Sequence, residues 1–195
     1  MDKRLRRKIT KGTGDKMRPT SGKVLAALFS ILCSASLEEA DFLDLFAGTG
    51  EAAMEALKRG AKQVVCVESD AFRAKKISAR LSEYISTSAR QNDRGAGAEC
   101  IRGDARRAIP SLARENREFG VVFADPPYGM GWGQTLPKLM EENWSLVSSG
   151  GAFVFERSSR EEPAEISIPR DDRVYGETIL SFYWKQLLEE RSGSH

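Results

Sequence analysis

The sequence predicts an α/β domain whose mostly parallel sheet is covered by helices on both faces. Short apolar segments alternate along the chain with longer segments whose apolar residues recur at helical spacing, and this alternation is typical of parallel sheets. The predicted strands cover residues 41–46, 63–68, 98–103, 119–124 and 151–156, and the predicted helices cover 50–59, 70–86, 105–116 and 134–147. Polar loops are expected over 87–97 and 158–172.

Two further elements complete this pattern. A helix over 21–32, with Thr20 or Ser21 as its N-cap, precedes the first strand and carries an apolar stripe. The last apolar segment, 178–184, follows the strand at 151–156 with no helix between them, so the two should pair as a hairpin and add one antiparallel strand. We expect one domain over 19–188, preceded by an arm over 1–18 and followed by a polar tail over 189–195.

The composition excludes several classes of protein. The 195 residues contain no apolar run of about 18 residues, the length that a membrane span needs, and the basic start is not followed by the apolar segment of a signal peptide. We therefore expect a cytoplasmic protein that is a monomer and does not bind membranes. The only histidine is the last residue, His195, which argues against a histidine-based triad and a histidine-ligated metal. Cys33, Cys66 and Cys100 lack metal-ligand spacing, so reduced core cysteines and no metal are expected.

Charge is concentrated at the start of the chain. Residues 1–18 contain eight basic and two acidic side chains, whereas the whole chain has 30 basic and 28 acidic ones, so the remainder is slightly acidic. Basic arms of this kind neutralise nucleic-acid phosphates without reading sequence, and a solubilising tail is the alternative. The candidate phosphate contacts are Arg4, Arg6, Arg7, Lys8 and Arg18.

A glycine-rich turn follows the first predicted strand. The segment from Asp44 to Gly50 reads Asp-Leu-Phe-Ala-Gly-Thr-Gly and opens a helix. Glycines permit a tight turn and a close backbone approach to a ligand, and the helix N-terminus offers unpaired N–H groups. The spacing Gly48-x-Gly50-x-x-Ala53 also fits a dinucleotide fingerprint, so this turn alone indicates only a nucleotide-containing cofactor.

Acidic residues end the next two predicted strands. Glu68 lies 20 residues after Gly48, where an acid accepts the ribose hydroxyls of an adenosine-containing cofactor. Asp104 follows the third strand and could bind an adenine amino group. Either acid alone could be a solvated strand end. Three successive strands that each end in a polar residue at one sheet edge, where ligands bind, instead predict a cofactor site.

The most informative segment is Val-Val-Phe-Ala-Asp-Pro-Pro-Tyr at 121–128. A buried strand ends at Asp125, and because proline cannot donate to a ladder and restricts the residue before it, Pro126 and Pro127 impose a rigid turn. This turn presents a carboxylate, backbone carbonyls and the ring of Tyr128. These groups suit an exocyclic amine on a planar base, since the oxygens accept its N–H groups and the ring stacks on the base. An ordinary Asp-Pro turn is the alternative.

Over residues 18–185 the chain resembles the bacterial small-subunit ribosomal RNA guanine-N2 methyltransferases of the RsmD type. The motifs that carry this resemblance are Arg18-Pro19-Thr20, the turn from Asp44 to Gly50, Val67-Glu68, Gly103-Asp104-Ala105, the segment Asp125–Tyr128 and the closing segment Tyr175–Tyr183. Many S-adenosylmethionine enzymes that act on amino nitrogens share the individual motifs.

The resemblance implies a class I methyltransferase with a seven-stranded Rossmann-like sheet, S-adenosylmethionine as methyl donor, and a guanine of ribosomal RNA or the small ribosomal subunit as acceptor. It also implies that the target base leaves its stack. Transferred to this chain, the family's cofactor residues are Asp44, Phe46, Ala47, Gly48 and Gly50 for the methionine and ribose part, Glu68 and Ser69 for the ribose, Asp104 and Ala105 for the adenine, and Asp125 beside the methyl group. The catalytic residues are Asp125, Pro126, Pro127 and Tyr128.

Other functions remain open from the sequence. An adenine-N6 methyltransferase acting on DNA or RNA would share the glycine turn and the Asp125 turn, although such enzymes usually carry an added target-recognition region. Protein-amide methylation favours Asn over Asp before the two prolines. A nicotinamide oxidoreductase explains the segment Gly48–Glu68 but not the Asp125 turn. A non-enzymatic RNA-binding protein would have lost the glycine turn or Asp125, and both are intact.

Overall fold

A seven-stranded sheet with helices on both faces forms the centre of the fold. The computed structural model describes residues 22–32, 40–89 and 96–187, and all of the following elements lie within these ranges. The strands are β1 (Asp41–Asp44), β2 (Gln63–Glu68), β3 (Gly97–Arg102), β4 (Phe119–Ala124), β5 (Val147–Ser158), β6 (Arg170–Tyr175) and β7 (Thr178–Trp184). The helices are α1 (Gly22–Ile31), α2 (Glu51–Lys58), α3 (Ala71–Ala89), α4 (Ala105–Arg114) and α5 (Trp132–Glu142), and a 3₁₀ turn covers Trp144–Leu146.

The strand order is β3-β2-β1-β4-β5-β7-β6. The pairs from β3 to β5 are parallel, and β7 is antiparallel to both of its neighbours. The predicted fold class, a mostly parallel sheet with one antiparallel strand, is therefore confirmed. The chain moves outward from β1 to β3 and then returns to place β4 on the other side of β1. The carboxyl ends of β1 and β4 consequently flank a topological switch point, the usual position of a ligand crevice in such sheets.

The central strands are buried on both faces, which is why they read as continuous apolar segments. Consecutive side chains of a strand point to opposite faces. Phe42 lies in the core under α1, α2 and α3, whereas its neighbour Leu43 lies in the core under α4 and α5. Cys66 is fully buried in the first of these cores, and burial raises the pKa of its thiol, as expected for a reduced core cysteine. Cys33 lies outside the described residues.

Several predicted boundaries were wrong. The first strand ends at Asp44, because the chain then turns towards β2. The predicted helix over 134–147 ends at Glu142, and β5 begins at Val147, not at residue 151. The Ser-Ser-Gly-Gly segment at 148–151 reads as a turn, but here it is an irregular part of β5, at which the β4–β5 register shifts.

Strand β6 falls partly in the predicted loop over 158–172. It is an edge strand that pairs only with β7, so its charged side chains face solvent and hide the strand pattern in the sequence. The helix expected over 70–86 extends to Ala89, into the predicted loop over 87–97. Within the described residues, no helix has the length and apolar character that a membrane span requires.

Arg157 joins the three strands at the β6 side of the sheet. Its side chain is only 2% exposed. The Nε atom donates to Ser181 Oγ of β7 at 2.9 Å, Nη1 donates to the Glu161 carbonyl at 2.6 Å, and Nη2 donates to Asp172 Oδ2 of β6 at 2.7 Å. This network fixes the β6–β7 hairpin against β5.

We expect Arg157→Met to lower the free energy of unfolding by about 2–4 kcal/mol, because it deprives a partly buried carboxylate of its nearest charge partner. Urea unfolding measures the change. Arg160→Met is the matched control, since Arg160 is 82% exposed and pairs with exposed Glu177, a contact worth at most about 1 kcal/mol. Equal losses in the two variants would contradict the assigned role of Arg157.

Candidate active site

One large cavity, of about 820 Å³, opens at the carboxyl ends of the parallel strands. This volume is within the range of small-molecule sites. Segments that follow β1, β2, β3 and β4 line it, together with the end of β5 and the β6–β7 turn. Of the predicted site residues, the cavity is lined by Asp44, Phe46, Ala47, Gly48, Glu68, Ser69, Asp104, Ala105, Asp125, Pro126, Pro127 and Tyr128. The structure thus brings together residues that are up to 84 positions apart in the sequence.

The glycine turn after β1 is held from both sides. The Leu45 N–H donates to the Phe123 carbonyl of β4 at 2.9 Å, and the Ala47 N–H donates to the Val67 carbonyl of β2 at 3.0 Å. Gly48 and Gly50 have φ values of 54° and 78°, which glycine adopts without strain. These bonds and torsions place the backbone of the turn against the cavity.

Gly50 is not among the residues that line the cavity. It is the N-cap of α2, and a Cβ atom at this position would lie 3.3 Å from two carbon atoms of the Ile77 side chain. Its role in cofactor binding stays a prediction. Gly50 lets the turn close against α3, and Gly48 forms the cavity wall.

Asp44 is a buried acid at the base of the cavity, 2% exposed. Its Oδ1 atom accepts from the Phe46 N–H at 3.2 Å. Burial raises the pKa of this carboxyl to about 7; the Phe46 hydrogen bond opposes the rise, and the charges of Asp125 and Glu68 add to it. Asp44 is thus part of a group of acids that share the carboxyl edge of the sheet.

Glu68 connects the end of β2 to the glycine turn. Its Oε2 atom accepts from the Gly48 N–H at 2.9 Å. Its Oε1 atom accepts from the Asp70 N–H at 2.7 Å and from Arg73 Nη2 at 3.0 Å. Because each carboxylate oxygen has two lone pairs, Oε2 retains the capacity to accept a hydroxyl from the cavity.

Asp104 is the N-cap of α4. Its Oδ1 atom accepts from the Arg106 N–H at 2.7 Å, and its Oδ2 atom lies 3.5 Å from Arg106 Nη1. The Arg106 guanidinium lies 3.8 Å from the centre of the Trp132 ring, and that ring meets Phe46 edge-on at 4.8 Å. The three side chains pack against one another beside Asp104, and all three line the cavity.

The Asp125 turn follows the strand next to β1 and lines the same cavity as the glycine turn. Asp125 is partly buried and Pro126 is buried, whereas Tyr128 is 42% exposed at the mouth. Gly129 and Gly131, both with positive φ, then lead the chain into α5. The turn therefore presents its carboxylate inside the cavity and its ring at the entrance.

Sequence reasoning missed Glu156, which also lines the cavity and is 3% exposed. The signal was available, since Glu156 is an acid near the carboxyl end of an apolar strand, as Glu68 is. It also missed the β6–β7 turn, whose Tyr175 lies at the cavity mouth. That turn reaches the cavity because the antiparallel β7 begins at the edge where the parallel strands end.

The predicted phosphate contacts belong to the basic arm over residues 1–18. The basic side chains Arg4, Arg6, Arg7, Lys8 and Arg18 all lie outside the described residues.

Across the ranges that the structure does describe, no group of three or more His, Cys, Asp or Glu side chains is arranged to hold a metal ion.

Comparison with known proteins identifies the family. A family model described as conserved hypothetical protein 95 matches residues 3–184. The chain belongs to this family. Ribosomal RNA small subunit methyltransferase D of Escherichia coli K12 is 28% identical over 189 residues, which cover 94% of this chain and 87% of that protein. The resemblance to the RsmD type is confirmed.

Solved structures share the fold. A hypothetical protein of Thermus thermophilus has a TM-score of 0.69 at 25% identity, over 86% of this chain and 88% of that chain. A 16S rRNA N2 methyltransferase of T. thermophilus, in complex with AdoMet and guanosine, has a TM-score of 0.62 at 20% identity. That match covers 90% of this chain and 45% of the other, and it supports the Rossmann-like architecture.

The buried acids predict an unusual dependence of stability on pH. Burial raises the pKa of Asp44 from 3.8 to about 7, and burial with the charge of Asp125 raises the pKa of Glu156 from 4.5 to about 8. Between the ordinary pKa values of these two carboxyls and their raised values in the folded protein, the folded protein binds more protons than the unfolded chain. Its free energy of unfolding should therefore fall as pH rises from about 5 to 8. Urea unfolding at several pH values measures this slope.

Asp44→Asn and Glu156→Gln should each flatten that slope. Glu51→Gln is the control, because Arg80 lowers the pKa of Glu51 and the residue is ionised in both states above about pH 5.5. A slope that is identical in all three variants and the parent protein would show that the two buried carboxyls do not titrate as described.

Proposed function

We propose that the chain transfers a methyl group from S-adenosylmethionine to the exocyclic N2 amine of a guanine in small-subunit ribosomal RNA. One observation carries this proposal. The glycine turn after β1 and the Asp125 turn after β4 lie on adjacent strands and line one cavity at the topological switch point. One half suits an adenosine-containing cofactor, and the other suits an amine on a planar base.

The residues present fit S-adenosylmethionine. Glu68 Oε2 retains acceptor capacity for a ribose hydroxyl, and Asp104 lines the cavity beside Arg106, Trp132 and Phe46, where it could accept from an adenine amine. The acids around the cavity also favour a cation. When bound, S-adenosylmethionine supplies a methyl group activated by a positively charged sulfur.

The Asp125 turn would hold the acceptor amine. The lone pair of this amine is delocalised into the guanine ring, so the amine is a poor nucleophile. Asp125 and the carbonyl of Pro126 would accept its two N–H groups, favour a more tetrahedral nitrogen and fix its position. Tyr128 would stack on the extruded base, and Met130 and Tyr175 are exposed at the same mouth.

The names of the relatives support the choice of substrate. The Escherichia coli relative is named as a methyltransferase of the ribosomal RNA small subunit, and the T. thermophilus neighbour as a 16S rRNA N2 methyltransferase. We further propose that residues 19–188 form the catalytic domain, that the arm over 1–18 contacts ribosomal RNA phosphates, and that the protein acts as a cytoplasmic monomer.

Methyl transfer with nucleoside analysis tests the activity. Labelled S-adenosylmethionine is incubated with unmodified 16S rRNA, assembled small subunits and duplex DNA, and the products are digested to nucleosides and mapped. We expect N2-methylguanosine at one position of the ribosomal RNA. N6-methyladenosine as the sole product would instead identify an adenine methyltransferase, and an absence of methylated product would reject the proposed activity.

Variants of the Asp125 turn test the division of roles. Asp125→Ala should lower the single-turnover rate about 10²- to 10⁴-fold at saturating cofactor, because a positioning acceptor is lost. Tyr128→Ala should weaken RNA engagement by about 1–3 kcal/mol of stacking, whereas Tyr128→Phe should retain most activity. Near-normal turnover in Asp125→Ala would falsify the proposed mechanism.

Glu68 variants test the cofactor half. Glu68→Ala should weaken S-adenosylmethionine binding about ten- to a hundred-fold in calorimetry, since the ribose hydroxyls lose a charged acceptor. Glu68→Gln retains a carbonyl that can accept from the Gly48 N–H, so the glycine turn should keep its position. The affinity of this variant for S-adenosylmethionine should still fall, because the ribose hydroxyls lose a charged acceptor. Glu99→Ala, which removes an exposed acid of β3, is the control. Unchanged affinity in both Glu68 variants would remove this residue from the site.

A further inference from the structure

Glu156 is a buried acid next to the Asp125 turn. It has no role in the methyl transfer proposed above. The parallel pairing of β4 with β5 aligns Ala124 with Phe155, so Asp125 and Glu156 occupy the next positions at the same sheet edge. Glu156 is 3% exposed and lines the cavity. Its Oε2 atom has no hydrogen-bond partner in the described part of the chain.

The fold gives this oxygen no structural role. The neighbouring Arg157 points to the opposite face of β5 and bonds Ser181 and Asp172. The other buried acids of the cavity differ, because Asp44 accepts from the Phe46 N–H and Glu68 accepts from the Gly48 N–H. Burying a carboxyl oxygen without a partner costs stability, so this cost on a residue that lines the cavity points to a ligand that supplies a donor to the Glu156 carboxyl.

The chemistry of guanine identifies that donor. The edge of guanine that carries the amine presents N–H groups in a row, namely the N1–H followed by the two hydrogens of N2. The proposed function assigns Asp125 and the Pro126 carbonyl to the amine, which leaves the N1–H without an acceptor. Adenine carries an acceptor at N1, so an ionised carboxylate opposite that atom, which can only accept, would have no hydrogen bond to receive.

We propose that Glu156 accepts the N1–H of the target guanine and thereby selects guanine over bases that lack this hydrogen. The inference rests on the proposed function and adds its specificity residue. It makes Glu156 a positioning residue, because the base is held through N1 while the reaction takes place at N2. A site that hydrogen-bonds a particular donor discriminates strongly against analogues without it, since a buried acceptor is then left unpaired.

The base analogue 2-aminopurine tests this assignment. It keeps the 2-amine that receives the methyl group, but its N1 carries no hydrogen. The substrates are two ribosomal RNA fragments that span the mapped nucleotide, one with guanine and one with 2-aminopurine at that position. Single-turnover methylation is measured at about pH 8.5, where the Glu156 carboxyl is mostly ionised, for the parent protein and for Glu156→Leu, Glu156→Gln and Glu177→Leu. Glu177 is another acid of the cavity wall, but it is exposed and paired with Arg160.

The expected result is a change in preference and not only in rate. The parent protein should methylate guanine about 100-fold faster than 2-aminopurine. Glu156→Leu should slow guanine methylation about 10- to 100-fold and leave the 2-aminopurine rate within about threefold, so that most of the preference is lost. Glu156→Gln retains a carbonyl acceptor and should keep guanine within about tenfold of the parent rate. Glu177→Leu should keep the parent preference.

An unchanged preference in Glu156→Leu would overturn the inference while leaving the proposed activity intact. A parent protein that methylates neither base would instead reject the proposed activity. Thermal unfolding without RNA gives a second readout. Because Glu156 buries an unpaired oxygen, Glu156→Leu and Glu156→Gln should match or exceed the parent melting temperature at about pH 7.5. A clear decrease in both variants would show a structural role and would also overturn the inference.

Discussion

The pairing of β1 with β4 is the constraint on which the site depends. It places strands that are far apart in the sequence side by side, with the other parallel strands extending away in opposite directions. The bond from the Leu45 N–H to the Phe123 carbonyl sets the glycine turn at a fixed position relative to the Asp125 turn. A shift of one residue in this register would move the side chains of β4 to the opposite face. Sheet hydrogen bonds therefore set the relative positions of the turns that line the cavity.

The same pairing concentrates acids where they reduce stability. Asp44, Glu68 and Glu156 are each at most 5% exposed, and their mutual repulsion and desolvation are offset only in part by backbone N–H groups. Residues at functional sites are commonly retained at such a cost. The large apolar cores on both faces of the sheet supply the stability that this edge lacks.

The sequence predicted the fold class and most of the site because each strand-end acid could be recognised from its own strand. Glu68, Asp104 and Asp125 follow continuous apolar segments, and these patterns are local. It could not predict what lies beside each acid, since strand order determines neighbours. The Asp104 cap, the bond between Glu68 and Gly48, and the adjacency of Glu156 to Asp125 all needed the structure. Strand β6 was missed because an edge strand with charged residues has the composition of a loop.

The charge distribution also limits how RNA can approach. Buried or partly buried acids line the cavity, so phosphate groups are repelled from its interior, whereas a cationic cofactor and the N–H edge of a base are attracted to it. The interior therefore favours the target base over the phosphate backbone. Exposed Arg160 lies at the cavity wall, exposed Arg173 of β6 lies outside the cavity lining, and the eight basic residues of the arm add a larger positive charge. This separation explains why affinity and base choice should respond to different residues: basic side chains set how tightly RNA binds, and the acids at the ends of β4 and β5 set which base reacts.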